Sequence, residues 1–368
     1  MKKVSIYTQG GIQSAGFRYR FLQYFEKLEC EVLYNKALSD KQYHQLMPIG
    51  ERGTVIKIFA FIIMYLRNLF YLFRDLFITP DYIVIARTIQ KIMIPITYKV
   101  ILKEIKRKGC VIIWDFDDDI LELKEINYKD FEFLSAISQH IIIASSYLKH
   151  IIESKYHNKL YVLPTTDGTM QPKFSTSVIN SREERYIDYI NVIWVGTSSG
   201  LQHLEQIVPQ IDKAGNLLLR MGKVLRFVII CNRDLECVCA HVKLINRKWS
   251  ISVAEEEFLN AHIGLMPLDN SNVSQGKGGF KLIQYMSVGL PSLASAVGIN
   301  NQILEGGGGF LIDDLKSEEW CNKIVALATD ANLWKRCSKK AIYTYLTKYN
   351  YQDNLNTWSS IVDCNIKI

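Results

Sequence analysis

The chain has 368 residues, of which 48% are hydrophobic and 22% charged. That is enough apolar material for two domains with cores of their own, and it excludes a globally disordered chain. The net charge of +7 is lopsided: residues 1–110 hold 18 Lys/Arg against 8 Asp/Glu, a surplus of +10, which leaves −3 for the remainder.

A basic first segment suits an anionic partner such as membrane lipid, a lipid diphosphate or nucleic acid. No zinc-finger, helix-turn-helix or RNA-binding signature accompanies it, so nucleic acid is not an expected partner. The opening MKKVSIYTQGG has only a brief apolar run and reads as a first strand entering a loop, not as a signal peptide. Eight scattered cysteines without a CxxC pair fit a reduced, cytoplasmic protein. Cys231, Cys237, Cys239 and His241 cluster, but without paired metal-knuckle spacing, and no metal site is predicted.

In chain order, Val4 to Thr8 is the first predicted strand. Gly10 and Gly11 form a tight loop that lets another molecule approach the backbone, and a helix runs on to about Glu29. Arg18 and Arg20 on its first turns read either as solvated or as anion-recognising, with Arg18 nearer the loop. Glu31 to Tyr34 is a second strand. The apolar stretch Val55 to Ile78 is long enough to span a membrane, but Lys57, Arg67 and Arg74-Asp75 interrupt it. It reads as a core helix or as one resting in a lipid interface, and the two are compatible if one face is buried. Asp81 to Ala86 is a strand ending at Arg87-Thr88, and Ile92 to Lys108 a basic-tailed helix.

Val111 to Trp114 is a buried strand followed by Asp115-Phe116-Asp117-Asp118-Asp119. Carboxylates at the carboxyl edge of a strand stand where open α/β sheets bind ligands, and their mutual repulsion calls for a role or a basic partner. Asp-x-Asp is also a divalent-metal motif, and a helix-start cluster is a third reading. Ile141 to Ala144 and Leu160 to Leu163 are strands, with a helix starting at Ser145 and Pro164-Thr165-Thr166-Asp167 closing the first half. Residues 168–188 turn polar and aperiodic and read as a linker. Asn191 to Val195 restarts the alternation, with Gly196-Thr197 before a helix. Strands follow at Leu225–Ile230, Ile263–Met266 and Phe310–Ile312, helices at Ala254–Asn260, Glu318–Thr329 and Asn332–Tyr349. Glu255-Glu256-Glu257 reads as a solvated face, Asn300 as a helix cap, and Trp358 falls in a terminal helix. Strand and helix alternate twice across one linker, which predicts two doubly wound parallel-sheet α/β domains.

The chemistry concentrates in QGKGGFKLIQYMSVGLPSLASAVG, Gln275 to Gly298. A glycine-rich turn feeding a helix presents backbone N–H groups at the positive end of the helix dipole, where phosphate binds. Lys277 and Lys281 add point charge beside Gly278, Gly279 and Phe280. The same composition also suits a plain β-loop-α scaffold.

This stretch resembles the donor-site signature of glycosyltransferase family 4, the group 1 enzymes of GT-B fold. The resemblance rests on Gly279-Phe280, Gln284-Tyr285-Met286 and Gly289-Leu290-Pro291-Ser292-Leu293-Ala294-Ser295. It is nearest to a bacterial polysaccharide sub-branch with Gly-Lys-x-Gly-Phe-Lys and Gln-Tyr-Met. The two glutamates common in the family fall on Gly276 and Gln284, so both carboxylates are missing. The resemblance implies two Rossmann-like domains facing a cleft: residues 1–178 on the acceptor side, 179–345 on the nucleotide-sugar side, and 346–368 as a helix crossing back. It implies a retaining, metal-independent transfer of a sugar from a nucleotide-sugar to a lipid-linked or glycan acceptor, as in capsule or lipopolysaccharide assembly. No cofactor is implied beyond the donor. The expected place is the cytoplasm, at the inner face of the cytoplasmic membrane, with peripheral contact to anionic lipid.

On that resemblance Lys277 and Lys281 stabilise the leaving diphosphate, and Gln284 holds the ribose through its amide oxygen. Gly196, Thr197 and Gly278–Phe280 border the donor phosphates, Trp249 covers the base, Gly10, Gly11 and Arg18 line the site, and Asp117 and Asp118 stand near the acceptor. Two alternatives stay open: a nucleotide-sugar epimerase on the same architecture, and a non-catalytic binding subunit, which the absent glutamates favour.

Overall fold

The computed structural model describes residues 1–46 and 53–367. The chain divides into two compact units: Met1–Thr165 with Gly276–Gly278 and Gln352–Ile368, and Thr166–Gln275 with Gly279–Tyr351.

Unit 1 is built on six parallel strands: β1 (Lys2–Thr8), β2 (Cys30–Lys36), β3 (Tyr82–Ala86), β4 (Val111–Phe116), β5 (His140–Ile143) and β6 (Leu160–Val162). Their order is β2-β1-β3-β4-β5-β6. The central strands are continuous apolar runs because helices cover both faces of a parallel sheet. Between β1 and β2 a π-turn (Phe17–Leu22) runs into α1 (Gln23–Phe25). Then come α2 (Asp40–Leu46), α3 (Thr54–Ile78), α4 (Ile96–Arg107) and α5 (Tyr128–Ile137). The chain steps left from β1 to β2 and then only rightwards, so right-handed crossovers put α3, α4 and α5 on one face. Leu72, Tyr98, Leu102 and Phe131 form the core there with Ile85, Ile112 and Trp114.

The other face carries α1 and α14 (Tyr351–Ile361). Trp358 of α14 packs edge-on against Phe25 at 5.0 Å and Phe21 at 6.0 Å. Asn354 donates to the Tyr24 hydroxyl and to the Pro164 carbonyl. These contacts are why the last helix belongs to unit 1.

Unit 2 begins with α6 (Thr176–Arg185) and continues through β7 (Tyr189–Val195), α7 (Leu201–Arg220), β8 (Val224–Cys231), β9 (Lys243–Lys248), α8 (Ile251–Asn260) and β10 (Ile263–Met266). It goes on with α9 (Asn272–Gln275), α10 (Phe280–Ser287), β11 (Ser292–Ser295), α11 (Asn300–Glu305), β12 (Gly309–Ile312), α12 (Glu319–Thr329) and α13 (Ala331–Lys348). The strand order is β12-β11-β10-β7-β8-β9, all parallel. One face is packed by α7 and α12, the other by α8, α10 and α13.

Several expectations are corrected. The helix expected from Ile92 starts at Ile96, with Pro95 as its N-cap, because proline disfavours helix in the residue before it. Ser145 leads only into a short 3-10 turn (Ser146–Ile151). The polar stretch read as linker contains α6, held by one side chain. Arg182 is fully buried and donates to the carbonyls of Leu259, Val288 and Phe258 at 3.1, 2.8 and 2.8 Å. Those carbonyls close the C-terminal ends of α8 and α10, where positive charge is favoured. Burial, and then Arg185, pull its pKa down to about 9. Asn300 does not cap α11; its amide donates to the Ser295 carbonyl. Glu255, Glu256 and Glu257 are ion-paired with Lys173 and Arg247 instead of simply solvated.

Candidate functional site

In unit 2 the strand order reverses between β7 and β10, and open α/β sheets bind ligands at the carboxyl edge beside such a reversal. Gly196 and Thr197 follow β7 at that point, and the turn Ser198–Gly200 leads into α7 without a side-chain cap. A Cβ on Gly196 would lie 2.5 Å from the Trp194 ring and 3.3 Å from Lys281 Cε. Only glycine there lets the loop close over Trp194 with the Lys281 stem beside it. The Lys281 ammonium stands 6.0 Å from the Trp194 ring centroid.

Lys281 is the second residue of α10, whose N-cap is Gly279. Gly279 has φ +69, a left-handed conformation suited to glycine, and its Cα faces Ile299 and Ile303 too closely for a Cβ. As glycine, the N-cap residue offers no side-chain cap of its own. Lys281, Gly279, Phe280, Gly196 and Thr197 are therefore neighbours around two helix N-termini. That arrangement suits phosphate.

Gln284, one turn further along α10, is 7% exposed. Its amide nitrogen donates to Asp167 Oδ2 at 2.8 Å. The other Asp167 oxygen accepts from Thr169 N–H and hydroxyl at 2.9 and 2.7 Å, and the Tyr345 hydroxyl donates to the Asp167 carbonyl. Asp167 thus brings a carboxylate beside the position where the family glutamate is missing. The amide nitrogen is engaged with Asp167, and the amide oxygen is the atom of Gln284 that can accept a hydroxyl hydrogen bond. In the sequence Asp167 stands out only as a strand end, because its partner lies 117 residues away.

In unit 1 the reversal falls between β1 and β3. The close approach allowed by Gly10 and Gly11 is taken up by the chain itself. A Cβ on Gly10 would sit 2.3 Å from the Tyr43 ring, and one on Gly11 2.4 Å from Asp40 and 2.6 Å from Lys36. Arg18 and Arg20 are both buried, so the solvated reading does not hold. Arg18 donates to the Ile12 carbonyl and lies 5.2 Å from the Tyr19 ring. Arg20 grips Asp115 with two bonds, at 2.7 and 2.5 Å, and donates also to the Leu163 carbonyl and Thr165 hydroxyl. Asp115 is inside β4 and belongs to the scaffold.

Arg87, just past β3, organises the acidic loop. It donates to Asp117, to Asp118 at 3.1 Å and to Glu125 at 2.9 Å. Burial opposes charge on Asp118, yet Arg87 and then Lys277 hold its carboxyl below the usual range. The Arg87 guanidinium, against its desolvation, is pushed well up by Asp117, Glu125 and Asp118. Asp118 Oδ1 accepts from Gly278 N–H at 3.3 Å, and Asp119 N–H donates to the Gly276 carbonyl at 3.1 Å. A Cβ on Gly276 or Gly278 would lie 2.5 or 2.6 Å from this loop. The glycines of the signature are thus needed for close backbone packing against Asp117–Asp119. Asp117 and Asp118 converge on one arginine, and Asp119 accepts from Leu121 and Glu122 N–H as a turn start.

Among the described residues no group of three His, Cys, Asp or Glu is arranged to hold a metal. Cys237 and Cys239 touch at 3.7 Å, while His241 is turned to Asp212 at 2.9 Å. Trp249 is partly buried against the α8 and α10 core. A shallow depression lined by Lys2, Cys30, Asp81 and Cys364 lies at the amino ends of β1–β3, the edge that open sheets leave unused.

The fold is GT-B. Anabaena HepE in complex with UDP-glucose is similar with a TM-score of 0.66 at 11% identity, covering 99% of this chain and 100% of the other. A UDP-forming trehalose-phosphate synthase from Burkholderia xenovorans in complex with glucose-6-phosphate gives 0.60 at 10% identity, covering 99% and 100%. Staphylococcus aureus MnaA with UDP gives 0.57 at 12% identity, covering 99% and 97%. Residues 190–330 match the family model described as "Glycosyl transferases group 1". Among curated proteins none matches the sequence significantly. The class to which fold and family match together point is a glycosyltransferase of GT-B type.

Proposed function

We propose that this protein transfers a sugar from a nucleotide-sugar to the hydroxyl of a surface-glycan acceptor carried on a lipid, at the inner face of the cytoplasmic membrane. On this reading it belongs with the polysaccharide sub-branch of family 4. The observation that carries the reading is the meeting of Lys281, the Gly196–Thr197 loop and the glycine-led start of α10 in unit 2. As the bond between the anomeric carbon and the leaving phosphate oxygen breaks, negative charge grows on the nucleoside diphosphate. Lys281, the α10 amides and Lys277 stabilise that charge. The acceptor oxygen bonds to the anomeric carbon on the same face, its proton passing to the leaving phosphate, so configuration is retained. Gln284, oriented by Asp167, accepts a hydrogen bond from a ribose hydroxyl through its amide oxygen. UDP or UDP-glucose in the HepE and MnaA complexes makes uridine diphosphate sugars the first donors to try. No metal or other cofactor takes part.

The test is release of nucleoside diphosphate from a panel of sugar nucleotides, with and without lipid-linked acceptor. A transferase releases diphosphate only with the acceptor; an epimerase releases none but converts the donor into a second nucleotide-sugar, seen by chromatography, and a binding subunit does neither. Lys281→Ala is expected to lower turnover by about tenfold or more with the fold intact. Unchanged turnover would remove Lys281 from the site. A chelator is expected to leave the rate unaltered, and a rate restored only by a divalent ion would overturn the metal-free mechanism.

A further inference from the structure

The outward face of α3 is apolar along its length. Phe59, Ile62, Leu66, Phe70, Phe73 and Phe77 recur every third or fourth residue, which puts them on one stripe. Leu66 is 58% exposed, Phe70 66% and Phe77 81%. The opposite stripe, Ala60, Met64, Asn68, Leu72 and Asp75, is the buried one. The helix is thus inverted, with its two buried polar groups turned inward. Asn68 donates to the Ile89 carbonyl, and Asp75 accepts from the Ser5 and Tyr7 hydroxyls on β1.

Length and composition alone would let Thr54–Ile78 cross a membrane. The Asn68 and Asp75 bonds fix it instead as a layer of unit 1, lying along the surface. α4 packs beside it through the stacked pair Tyr65–Tyr98. The outer face of α4 runs from exposed Ile96 and Val100 into exposed Lys103 and Arg107. α3 and α4 themselves hold seven Lys/Arg against two Asp/Glu, and of the outer basic residues Arg107 is paired with Glu104.

We propose that the outer faces of α3 and α4 are a docking surface for an anionic lipid bilayer, in which α3 lies in the plane of the interface. An apolar stripe with basic residues at its border matches acyl chains beside anionic headgroups. A second copy of this chain fits less well. Helix pairs use a narrow seam flanked by complementary charges, whereas this stripe is widened by the exposed Ile56 and Ile58. A two-fold contact would also bring two basic faces together.

The test is co-sedimentation of the full chain with phosphatidylcholine vesicles, with and without phosphatidylglycerol. The protein is expected to pellet with the anionic vesicles. Phe70→Glu with Phe73→Glu is expected to weaken this by about tenfold or more while thermal unfolding is unchanged. Lys103→Glu with Arg107→Glu is expected to remove the preference for anionic vesicles. Wild-type protein that stays in the supernatant, or a Phe70/Phe73 variant that binds as well, overturns the proposal. So does a dimer in solution that the Phe70/Phe73 variant dissociates while vesicles retain neither protein. The readout needs no sugar nucleotide, so it fails or succeeds independently of the donor assignment.

Discussion

Two long helices, α3 in unit 1 and α7 in unit 2, each lie on a six-stranded parallel sheet, and they solve the same packing problem in opposite ways. α7 buries Leu201, Leu204, Ile207, Ile211 and Leu218 and turns Gln202, Glu205, Gln206 and Lys213 to solvent. α3 buries Ala60, Met64, Asn68, Leu72 and Asp75, two of them polar, and exposes phenylalanines. A soluble helix has no reason to spend aromatic side chains on water, since each exposed ring forgoes about 1.5–3 kcal/mol of burial. The apolar residues of α7 serve its own sheet, whereas many of those in α3 face away from the fold.

The comparison breaks first at Asp75. Its carboxylate is fully buried, with Arg74, Ser5 and Tyr7 as partners. Asp75→Ala leaves those groups unsatisfied and is expected to cost about 3–5 kcal/mol. Hydrogen exchange should report the loss in the α3 and β1 peptides. If α3 were held mainly by its apolar residues, exchange there would hardly change. In α7 the corresponding hold is hydrophobic. Leu204→Ala is expected to cost about 2–5 kcal/mol through lost burial and a residual cavity, read in the β7 and β8 peptides.

Acid separates the units on a smaller scale. His262 in unit 2 is fully buried, its Nδ1 accepting from Asn191 N–H and its Nε2 donating to the Arg182 carbonyl. Burial pushes its pKa down to about 3. The unfolded chain therefore takes up the proton first, and stability falls as pH drops below the ordinary histidine value of about 6.5. At pH near 5 the loss is about 2 kcal/mol. In unit 1, Asp118 and Glu125 are held low by Arg87 despite their burial. Their contribution is present above the ordinary carboxylate values of about 4 and is lost only below them. Exchange in β7–β10 peptides should thus rise between about pH 6.5 and 5, while the clasp of Asp117–Asp119 on Gly276–Gly278 stays protected. Simultaneous loss of both would contradict the assignment, and His262→Gln is expected to flatten the unit 2 response.

Much of this was legible in the sequence because local patterns dictate it. Parallel strands such as Ile141–Ala144 and Ile263–Met266 announce themselves as apolar runs between turn residues. The Gly-Lys signature and its helix fall where spacing put them. What escaped depends on distant partners. β9 is a polar edge strand, KLINRK, without a strand-like apolar run. α6 has no apolar face because Arg182 anchors it through backbone carbonyls more than seventy residues away. The acidic cluster was visible, but its division was not: Asp115 serves Arg20, Asp117 and Asp118 serve Arg87, and Asp119 a turn. Residue spacing cannot say which arginine a carboxylate meets. In α3 the sequence showed a helix apolar all round, and only the fold reveals which side is covered.

The smallest expected effect on stability is therefore the most telling one about α3. Phe70→Glu removes an apolar ring that is largely exposed and edge-on to Tyr71. In the protein alone the change is expected to lie within about 0.5 kcal/mol, as for an ordinary surface position. A phenylalanine in the α7 stripe would cost several kcal/mol under the same substitution, because charge would enter a core. Phe70→Glu should also raise the concentration at which the protein stays monodisperse, since it breaks an exposed apolar patch. Thermal unfolding and light scattering together decide the matter. A large drop in stability would mean that Phe70 is packed within the fold, and the outward face of α3 would then resemble the inward face of α7 after all.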